Sequence, residues 1–305
     1  MTDAHLCYRY DRAHTPGIDH RLTVLAFNVL AQSLVRIGDK PYIRNMGLSK
    51  WEERWPRLQQ IIRRMKGGRS IDIVILSECD VEYLGIWTNL MHELSMDRVA
   101  FATRTDTATH GVAMFVNRHH VFVEHVETAR TGAATILASL RHLSGFRFVC
   151  IGTHLKAKAE HEEQRVREVT ELTRLVYERF GTKRPIIIAG DMNTHDIATS
   201  PSFTVLCELA RRDRDKAATA FPFTTIKETE PGVVTSGIED HVLFSDDDFV
   251  PFCTLVPHTP VGAEHSEDSS FFQLPLTIPM PGADGISDHI PILVSLAIKE
   301  KNEIE

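Results

Sequence analysis

Short apolar runs alternate with helical patterns along most of the chain, which is the arrangement expected of an α/β protein. Apolar runs that are bounded by glycine or by charged turn residues predict strands. The predicted strands are residues 22–30, 71–76, 111–116, 135–140, 146–151, 185–189, 241–244 and 290–296.

Apolar residues at three- and four-residue intervals predict amphipathic helices between these strands. One such pattern runs from Trp51 to Met65 and another from Val166 to Val176, and glycines follow both. A third helix is predicted to begin after Ser200, because proline stands at the position that would open the helix.

The ends of the chain lack these patterns, and residues 1–20 and 299–305 are expected to be solvated tails. The remaining segment, 21–298, is long enough for one large domain or for two smaller ones. Each half contains several predicted strands and at least one long helix, so the hydrophobic pattern leaves both arrangements open.

Polar side chains that can bind cations or exchange protons stand at the ends of these apolar runs. A single one is often only a turn or a polar loop, but their recurrence from one end of the chain to the other favours one shared site. Ligands in sheet proteins bind where strands end, because the rigid backbone there presents side chains to a crevice. These residues are Asn28, Glu78, His154, Asp191, Asn193, Asp240, Asp288 and His289.

The composition restricts the partners. The formal net charge is −7, whereas proteins that hold long nucleic acids by many phosphate contacts are usually basic. A small substrate, a short binding footprint or a local basic patch is therefore expected.

The five cysteines are scattered without a C-x-x-C pair, and no run is apolar enough for a membrane span. Together with the absence of a signal-like N-terminus, this predicts an intracellular protein, cytoplasmic rather than membrane-bound.

Brought together, the polar groups suit the cleavage of a phosphate ester. Glu78, Asp288 and the amide of Asn28 are oxygen ligands of the kind that Mg²⁺ prefers, and a divalent cation offsets charge on phosphoryl oxygens.

The remaining groups can carry protons and donate hydrogen bonds. His289 can exchange a proton near neutral pH, and a buried carboxylate such as Asp240 could fix its tautomer. Asn193 and His154 can donate to a non-bridging oxygen.

These residues, in this order, resemble the motifs of the endonuclease/exonuclease/phosphatase superfamily, which has the deoxyribonuclease-like fold. The similarity covers residues 21–298. It implies one catalytic domain, a four-layer α/β sandwich in which two packed mixed β-sheets are flanked by helices and the site lies between the sheet edges.

Longer stretches are similar to the deadenylase, nocturnin and Angel branch of that superfamily. They are FNVLAQSLV, THLKAK, GDMNTHDIATSPSFTVLCEL and the SDHIPIL ending. The W-C-D-R segment of inositol polyphosphate phosphatases is absent.

The resemblance implies a role for each residue. Glu78 would bind Mg²⁺, with Mn²⁺ as a substitute, and Asn28 and Asp288 would lie near the ion. Asp191 and His289 would orient or deprotonate the attacking water, Asp240 would support His289, and Asn193 and His154 would stabilise the phosphorane. The expected substrate-binding residues are Lys156, Lys158, Arg165 and Phe223.

Two departures from the family pattern concern acidic and amide groups near the site. The usual Ile-Asp-Tyr reads Ile-Glu-Asp-His here, so that Glu239 competes with Asp240 as the partner of His289. Asp240 is preferred because it directly precedes a strand. The usual Leu-Gln-Glu has Ser77 in place of glutamine.

The resulting interpretation is a Mg²⁺-dependent phosphodiesterase, a 3′-to-5′ exoribonuclease of the deadenylase type that acts on an RNA 3′ end. One alternative is a phosphatase of a soluble nucleotide, such as a dinucleotide 2′-phosphate, or of a 2′,3′-cyclic RNA end. Another alternative, of a different class, is an inactive relative that serves as a scaffold. A monomer is expected. The chain has no leucine-rich-repeat region for docking to a large complex.

Overall fold

The computed structural model describes most of the chain. The described residues are 5–10, 20–37, 50–66, 70–194, 197–218, 224–230, 233–258, 271–277 and 287–299.

The strands are numbered in chain order. They are β1 (His5–Tyr10), β2 (Arg21–Asn28), β3 (Ile73–Asp80), β4 (Met96–Thr103), β5 (His110–Asn117), β6 (Val121–Arg130), β7 (Ala134–His142), β8 (Arg147–His154), β9 (Ile186–Asp191), β10 (Thr225–Glu230), β11 (Val233–Gly237), β12 (Asp240–Phe244), β13 (Phe249–His258), β14 (Phe271–Thr277) and β15 (Ile292–Ile298).

The helices connect and cover these strands. They are α1 (Gln32–Ile37), α2 (Trp51–Lys66), α3 (Leu84–Glu93), α4 (Glu162–Phe180), α5 (Pro201–Ala210) and α6 (Arg214–Ala218), and a 3₁₀ turn at Ala159–His161 precedes α4. No helix in the described part of the chain is both long and apolar enough to cross a lipid bilayer.

Two large sheets form the centre of the fold. The larger sheet has the strand order β14-β1-β13-β15-β2-β3-β5-β4, the smaller has the order β12-β9-β8-β7-β6, and β10 and β11 form a separate ribbon. Both large sheets are mixed, because β2 and β3 run parallel, as do β8 and β9, whereas their neighbours are antiparallel.

Three apolar layers hold the elements together. Val24 and Ile75 of the larger sheet pack with Ile136 and Ile187 of the smaller sheet in the layer between the sheets. The outer face of the larger sheet packs against α2 and α3, and that of the smaller sheet against α4 and α5. The predicted four-layer α/β sandwich is therefore confirmed.

The start of helix α5 agrees with the sequence-based prediction. Ser200 adopts an extended conformation, its Oγ accepts a hydrogen bond from the backbone N–H of Phe203, and proline follows it. This is an N-cap, which satisfies one of the backbone donors that every helix leaves unpaired at its beginning.

The expectation of a solvated N-terminal tail was wrong for His5–Tyr10. These residues form β1, which pairs antiparallel with β13 on one side and with β14 on the other. The segment is short and rich in polar residues, and its pairing partners come from the far end of the chain, so no local pattern predicts it.

The sheet register brings the candidate residues into adjacent positions. In the larger sheet, Asn28 pairs with Ser77, the residue before Glu78. In the smaller sheet, Asp191 on the middle strand β9 pairs with His154 on one side and with Asp240 on the other. The polar strand ends of both sheets thus meet at one edge of the sandwich.

Candidate active site

Asn28 links the two sheets at the centre of the site. Its Nδ2 atom donates to Oε1 of Glu78 at 3.0 Å and to Oδ2 of Asp191 at 2.8 Å. Its Oδ1 atom accepts the backbone N–H of Leu30 at 2.9 Å, which fixes the orientation of the amide. Asn28 is fully buried. It therefore acts as a donor that holds two carboxylates side by side, and the expected contact of its oxygen with the metal stays a prediction.

Glu78 lies within strand β3, not just past its end as predicted. The register of β3 with β5 shifts between Leu76 and Cys79, and Glu78 has a φ of 59°. A bulge of this kind re-aims a side chain, and bulges are common beside active sites. The backbone N–H of Ala31 donates to the second carboxylate oxygen of Glu78 at 3.1 Å. The bulge thus directs the Glu78 carboxylate towards the loop that follows β2.

Asp191 occupies a position that depends on the glycine before it. Gly190 has a φ of +134°, and a Cβ atom there would lie 2.1 Å from the carbonyl oxygen of Thr153. Any other residue would push β9 away from β8 at the point where β9 ends with Asp191. The chain that follows Asp191 is fixed by two hydrogen bonds. Oδ1 of Asp191 accepts the backbone N–H of Asn193 at 2.9 Å, and the side-chain amide of Asn193 donates to the carbonyl of Leu155 at 3.1 Å.

His289 is held by Asp240. Its Nδ1 atom lies 2.7 Å from Oδ2 of Asp240, and both side chains are buried. The other ring nitrogen, Nε2, lies 3.7 Å from Asp191, 3.9 Å from Glu239 and 3.9 Å from Asp288. Asp240 is thus the carboxylate at hydrogen-bond distance from the His289 ring, whereas Glu239 lies near the other ring nitrogen.

Two hydroxyl residues outside the predicted set fix this histidine segment. Thr224 Oγ1 accepts the backbone N–H groups of Glu239 at 2.8 Å and Asp240 at 3.0 Å. Ser287 Oγ donates to the carbonyl of Asn28 at 2.8 Å and accepts the backbone N–H of His289 at 3.2 Å. Ser287 stands within the SDHIPIL ending that carries the resemblance, but that motif alone does not show which backbone group its hydroxyl contacts.

Ser77, which replaces the usual glutamine, also contributes to the site. Its Oγ lies 3.4 Å from the backbone nitrogen of Asp191, which donates to it across the gap between the two sheets. The substitution therefore removes an amide but keeps an acceptor at the junction of the sheets.

His154 and the loop after it lie on the other side of Asp191. The Nε2 atom of His154 is 3.5 Å from Asp191 Oδ2. Lys156 is partly buried and Lys158 is exposed, with its Nζ atom 3.9 Å from a carboxylate oxygen of Glu160. Both lysines thus follow the site directly in the chain.

Arg165 does not take the substrate-binding position that was expected. Its side chain is buried, donates to Glu162 Oε2 at 2.6 and 2.9 Å, and donates to the carbonyls of Lys156 at 2.8 Å and Lys158 at 2.7 Å. Because the guanidinium is committed to these groups, the residue fixes the lysine loop rather than contacting a ligand.

A second ion pair, whose glutamate is buried, holds the same loop. Oε1 of Glu168 accepts from Arg104 at 2.7 Å, and Oε2 accepts the backbone N–H of Lys156 at 2.9 Å. Arg104 also donates to the carbonyls of Gly132 and His154. The sequence indicates neither partner, because they lie on separate elements and follow no motif. Phe223, the remaining expected substrate contact, lies outside the described residues.

The charged groups of the site shift one another's pKa values. Burial raises the pKa of Glu78, but His154, His289 and the hydrogen bond from Asn28 together hold it below its usual range, against the opposing effect of Asp288. Burial lowers the pKa of His154 to about 4, although the Glu78 carboxylate acts in the opposite direction. His154 is therefore neutral near pH 7 and can donate one hydrogen bond.

The carboxylates around His289 favour its protonated form. Burial lowers its pKa, but the carboxylates of Asp240, Asp191 and Asp288 outweigh burial and raise it to about 10. A divalent cation among these carboxylates would oppose this increase, because it competes with the imidazolium for the same negative charge.

The carboxylates fit a divalent cation. Ligand atoms of Glu78, His154 and Asp191 lie within 4.8 Å of one another, and the same holds for Asp191, Asp240 and His289. Such a concentration of buried negative charge is costly without a compensating cation. Carboxylate oxygens are the ligands of Mg²⁺ and Mn²⁺. The donor set around Glu78 and Asp191 therefore fits a divalent metal ion.

Comparison with known proteins gives the same fold. No protein-family model and no curated protein sequence matches the chain. The human nocturnin catalytic domain, solved with bound sulfate, superposes with a TM-score of 0.66 at 19% identity, over 93% of this chain and 97% of that one. ANGEL2, described as a 2′,3′-cyclic phosphatase, gives a TM-score of 0.70 at 12% identity, over 97% and 98%. D. rerio TDP2 in complex with a single-stranded DNA product gives 0.57 at 15% identity, over 91% and 99%.

These similarities extend over almost the whole of each chain, and they agree with the two-sheet sandwich and with the resemblance of the strand-end motifs. The protein therefore has the fold of the endonuclease/exonuclease/phosphatase superfamily, as nocturnin and ANGEL2 do.

Proposed function

We propose that the protein is a divalent-metal-dependent hydrolase of phosphate esters and, within that class, a 3′-to-5′ exoribonuclease of the deadenylase type. One observation carries the proposal. The buried amide of Asn28 donates to both Glu78 and Asp191, which come from different sheets, and the His289–Asp240 pair lies against the same carboxylates. A scaffold protein has no need to bury and align so many ionisable groups at one sheet edge.

Glu78 and Asp288 are the residues that would bind the metal. When bound, Mg²⁺ supplies a positive charge that offsets the negative charge developing on the phosphoryl oxygens. The hydrogen bonds from Asn28 and from the Ala31 backbone keep the Glu78 carboxylate in one orientation. Pre-orientation of this kind means that little reorganisation is required during the reaction.

Asp191 is the group best placed to orient and deprotonate the attacking water. Its Oδ2 atom accepts a hydrogen bond from Asn28 and lies 3.5 Å from Nε2 of His154. Its Oδ1 atom accepts the backbone N–H of Asn193. His289, which is fixed by Asp240 and lies against Asp191, is proposed to donate to the phosphoryl group.

His154 and Asn193 complete the set of donors. Neutral His154 donates one N–H, and the Asn193 amide carries two hydrogens, one of which contacts the Leu155 carbonyl. Their proposed role is to stabilise the additional negative charge of the five-coordinate phosphorus.

A polymeric substrate is favoured by the lysine loop. Arg165 and Glu168 fix the backbone that carries Lys156 and Lys158, although Lys158 itself is exposed. Two lysines on a rigid loop beside the reaction centre suit contacts with the phosphate groups of a short 3′ end. The net charge of −7 is consistent with such a short footprint.

The similar structures support this class of chemistry. ANGEL2 is described as a 2′,3′-cyclic phosphatase and has been solved with adenosine-2′,3′-vanadate. TDP2 has been solved with a single-stranded DNA product. The 2′,3′-cyclic phosphate named for ANGEL2 and the DNA bound to TDP2 both contain phosphate esters of nucleosides.

The test is a product analysis with purified protein and Mg²⁺. The substrates are a labelled oligoadenylate, an RNA of mixed sequence, an RNA with a 2′,3′-cyclic end and a dinucleotide 2′-phosphate. Stepwise shortening of the RNAs from the 3′ end is expected. Asp191→Asn should abolish it, whereas Glu163→Gln, which removes an exposed carboxylate from α4, should leave it unchanged.

The other outcomes separate the alternatives. Release of inorganic phosphate from the dinucleotide with the RNAs intact would establish a nucleotide phosphatase. Opening of the cyclic end alone would establish a cyclic phosphatase. Absence of turnover of every substrate would contradict the proposed hydrolase function.

A further inference from the structure

Glu239 adds a carboxylate to the reaction centre that the proposed mechanism does not use. The residue is 2% exposed, and its Oε2 atom lies 3.9 Å from Nε2 of His289. Its backbone is fixed on both sides, because its N–H donates to Thr224 Oγ1 at 2.8 Å and its carbonyl accepts the N–H of Met192 at 2.7 Å. The carboxylate therefore stays close to the catalytic histidine.

The position of Glu239 differs from that of Asp240. Asp240 lies at hydrogen-bond distance from Nδ1 of His289. Glu239 lies near Nε2, together with Asp191 and Asp288 at 3.7 and 3.9 Å. These distances are longer than a direct hydrogen bond, so Glu239 does not replace Asp240 as the orienting partner. It instead places an additional negative charge on the side where the phosphate must bind.

The phosphate therefore enters an environment that is already rich in negative charge. Four carboxylates lie within 4 Å of the His289 ring, and they outnumber the single positive charge that a protonated His289 would carry. The nearby positive charge of Arg104 is already paired with Glu168. A bound divalent cation neutralises only two of these charges. The energy of a like-charge pair at such distances corresponds to about tenfold or more in affinity for each added unit charge.

Phosphate esters differ in how much charge they bring into such a site. A phosphomonoester carries close to two negative charges at pH 7, because its second pKa is about 6. A phosphodiester, whether linear or cyclic, carries one. The additional negative charge of a monoester is repelled by Glu239 as well as by the carboxylates that the reaction requires.

We propose that Glu239 is a specificity-determining residue, which makes the site select linear and cyclic phosphodiesters and discriminate against phosphomonoesters. This inference rests on the proposed phosphoesterase function and narrows its substrate class.

The test compares substrates that differ in charge but share a leaving group or a nucleoside. One pair is bis(p-nitrophenyl) phosphate and p-nitrophenyl phosphate, and the other is adenosine 2′,3′-cyclic phosphate and adenosine 2′-phosphate. The ratio of kcat/KM for the diester to kcat/KM for the monoester is measured at pH 8 with saturating Mg²⁺. Wild-type protein should favour the diester of each pair.

Glu239→Gln should lower this ratio by about tenfold, mainly through better turnover of the monoester. An effect of the substitution that changes the turnover of both substrates equally, such as a small shift in the position of His289, leaves this ratio unchanged. Glu239→Leu, which also removes the charge, should shift the ratio in the same direction, and thermal unfolding checks that each variant is folded. Glu163→Gln removes one exposed carboxylate and should leave the ratio unchanged.

The outcomes distinguish this inference from the proposed function. Hydrolysis by the wild type with a ratio that neither Glu239 variant alters would overturn the inference and leave the hydrolase function intact. A wild-type preference for the monoesters would also overturn it. Absence of hydrolysis of all four compounds by a wild type that cleaves the RNAs would overturn the inference alone, whereas absence of RNA cleavage as well would overturn both.

Discussion

The Nδ1 atom of His289 lies 2.7 Å from the Oδ2 atom of Asp240, and this contact joins two segments that are 49 residues apart in the chain. Both side chains are buried, so water does not compete for the interaction. The pair aims Nε2 of His289 at the carboxylates of the reaction centre. Its geometry makes the orientation of the histidine dependent on one charged neighbour.

Asp240→Asn is therefore expected to reduce kcat by about 10²- to 10⁴-fold with little change in KM, because an amide keeps the shape but loses the charge that stabilises the imidazolium. Steady-state kinetics on the RNA substrate measure this effect. Asp247→Asn, which changes an exposed carboxylate of the same region, should behave like the wild type. A KM effect with an unchanged kcat would place Asp240 in substrate binding instead.

Glu78→Gln is expected to weaken Mg²⁺ binding by at least about tenfold, because a neutral amide cannot replace the carboxylate among the metal ligands. Isothermal titration calorimetry of the metal-stripped protein measures the affinity without reference to turnover. Chelation of the metal should abolish activity of the wild type, and added Mg²⁺ or Mn²⁺ should restore it. The control is Glu52→Gln, at an exposed position of α2. Equal Mg²⁺ affinities for Glu78→Gln and the wild type would show that the metal binds elsewhere.

Arg165→Met is expected to lower the free energy of unfolding by about 3 kcal/mol, because it leaves Glu162 and two loop carbonyls without their buried donor. Urea denaturation measures this loss. Arg167→Met, at an exposed position two residues further along α4, should change stability by less than about 0.5 kcal/mol. If Arg165→Met raised KM without a loss of stability, the residue would be a substrate contact as first expected.

His241 is expected to make stability dependent on pH. Burial lowers its pKa to about 3, against the opposing hydrogen bond with the Ile238 carbonyl. In the unfolded chain the pKa returns to its ordinary value of 6.5. Above pH 6.5 His241 is neutral in both the folded and the unfolded state, and its contribution to stability is fully present. As the pH falls below 6.5 only the unfolded chain takes up the proton, so stability is lost by about 1.4 kcal/mol for each pH unit down to the folded-state value.

The measurement is urea denaturation at pH 7.5, 6.0 and 5.0 for the wild type and for His241→Gln. The variant should lose less stability between pH 6.0 and 5.0, because glutamine has no proton to bind in this range. His125→Gln, which replaces an exposed histidine on β6, is the control and should keep the wild-type slope. Identical slopes for all three proteins would rule out a neutral buried His241.

Much of the fold could be predicted from the sequence because it depends on local periodicity. The apolar runs of β2, β8 and β9 and the amphipathic pattern of α2 mark buried faces directly, and Ser200 with its following proline marks the beginning of α5. Strand β1 could not be predicted, because its stability comes from pairing with β13 and β14 and not from its own composition.

The sequence by itself determined which chemical groups stand at the strand ends and in which order, because side-chain type and spacing are properties of the chain. Only the tertiary structure decided how these groups meet. It turned the Asn28 amide towards two carboxylates, directed Arg165 inward to the lysine loop, and placed Asp240 and Glu239 near different nitrogens of the His289 ring. These arrangements depend on register, on a bulge in β3 and on contacts between segments far apart in sequence, which no local pattern encodes.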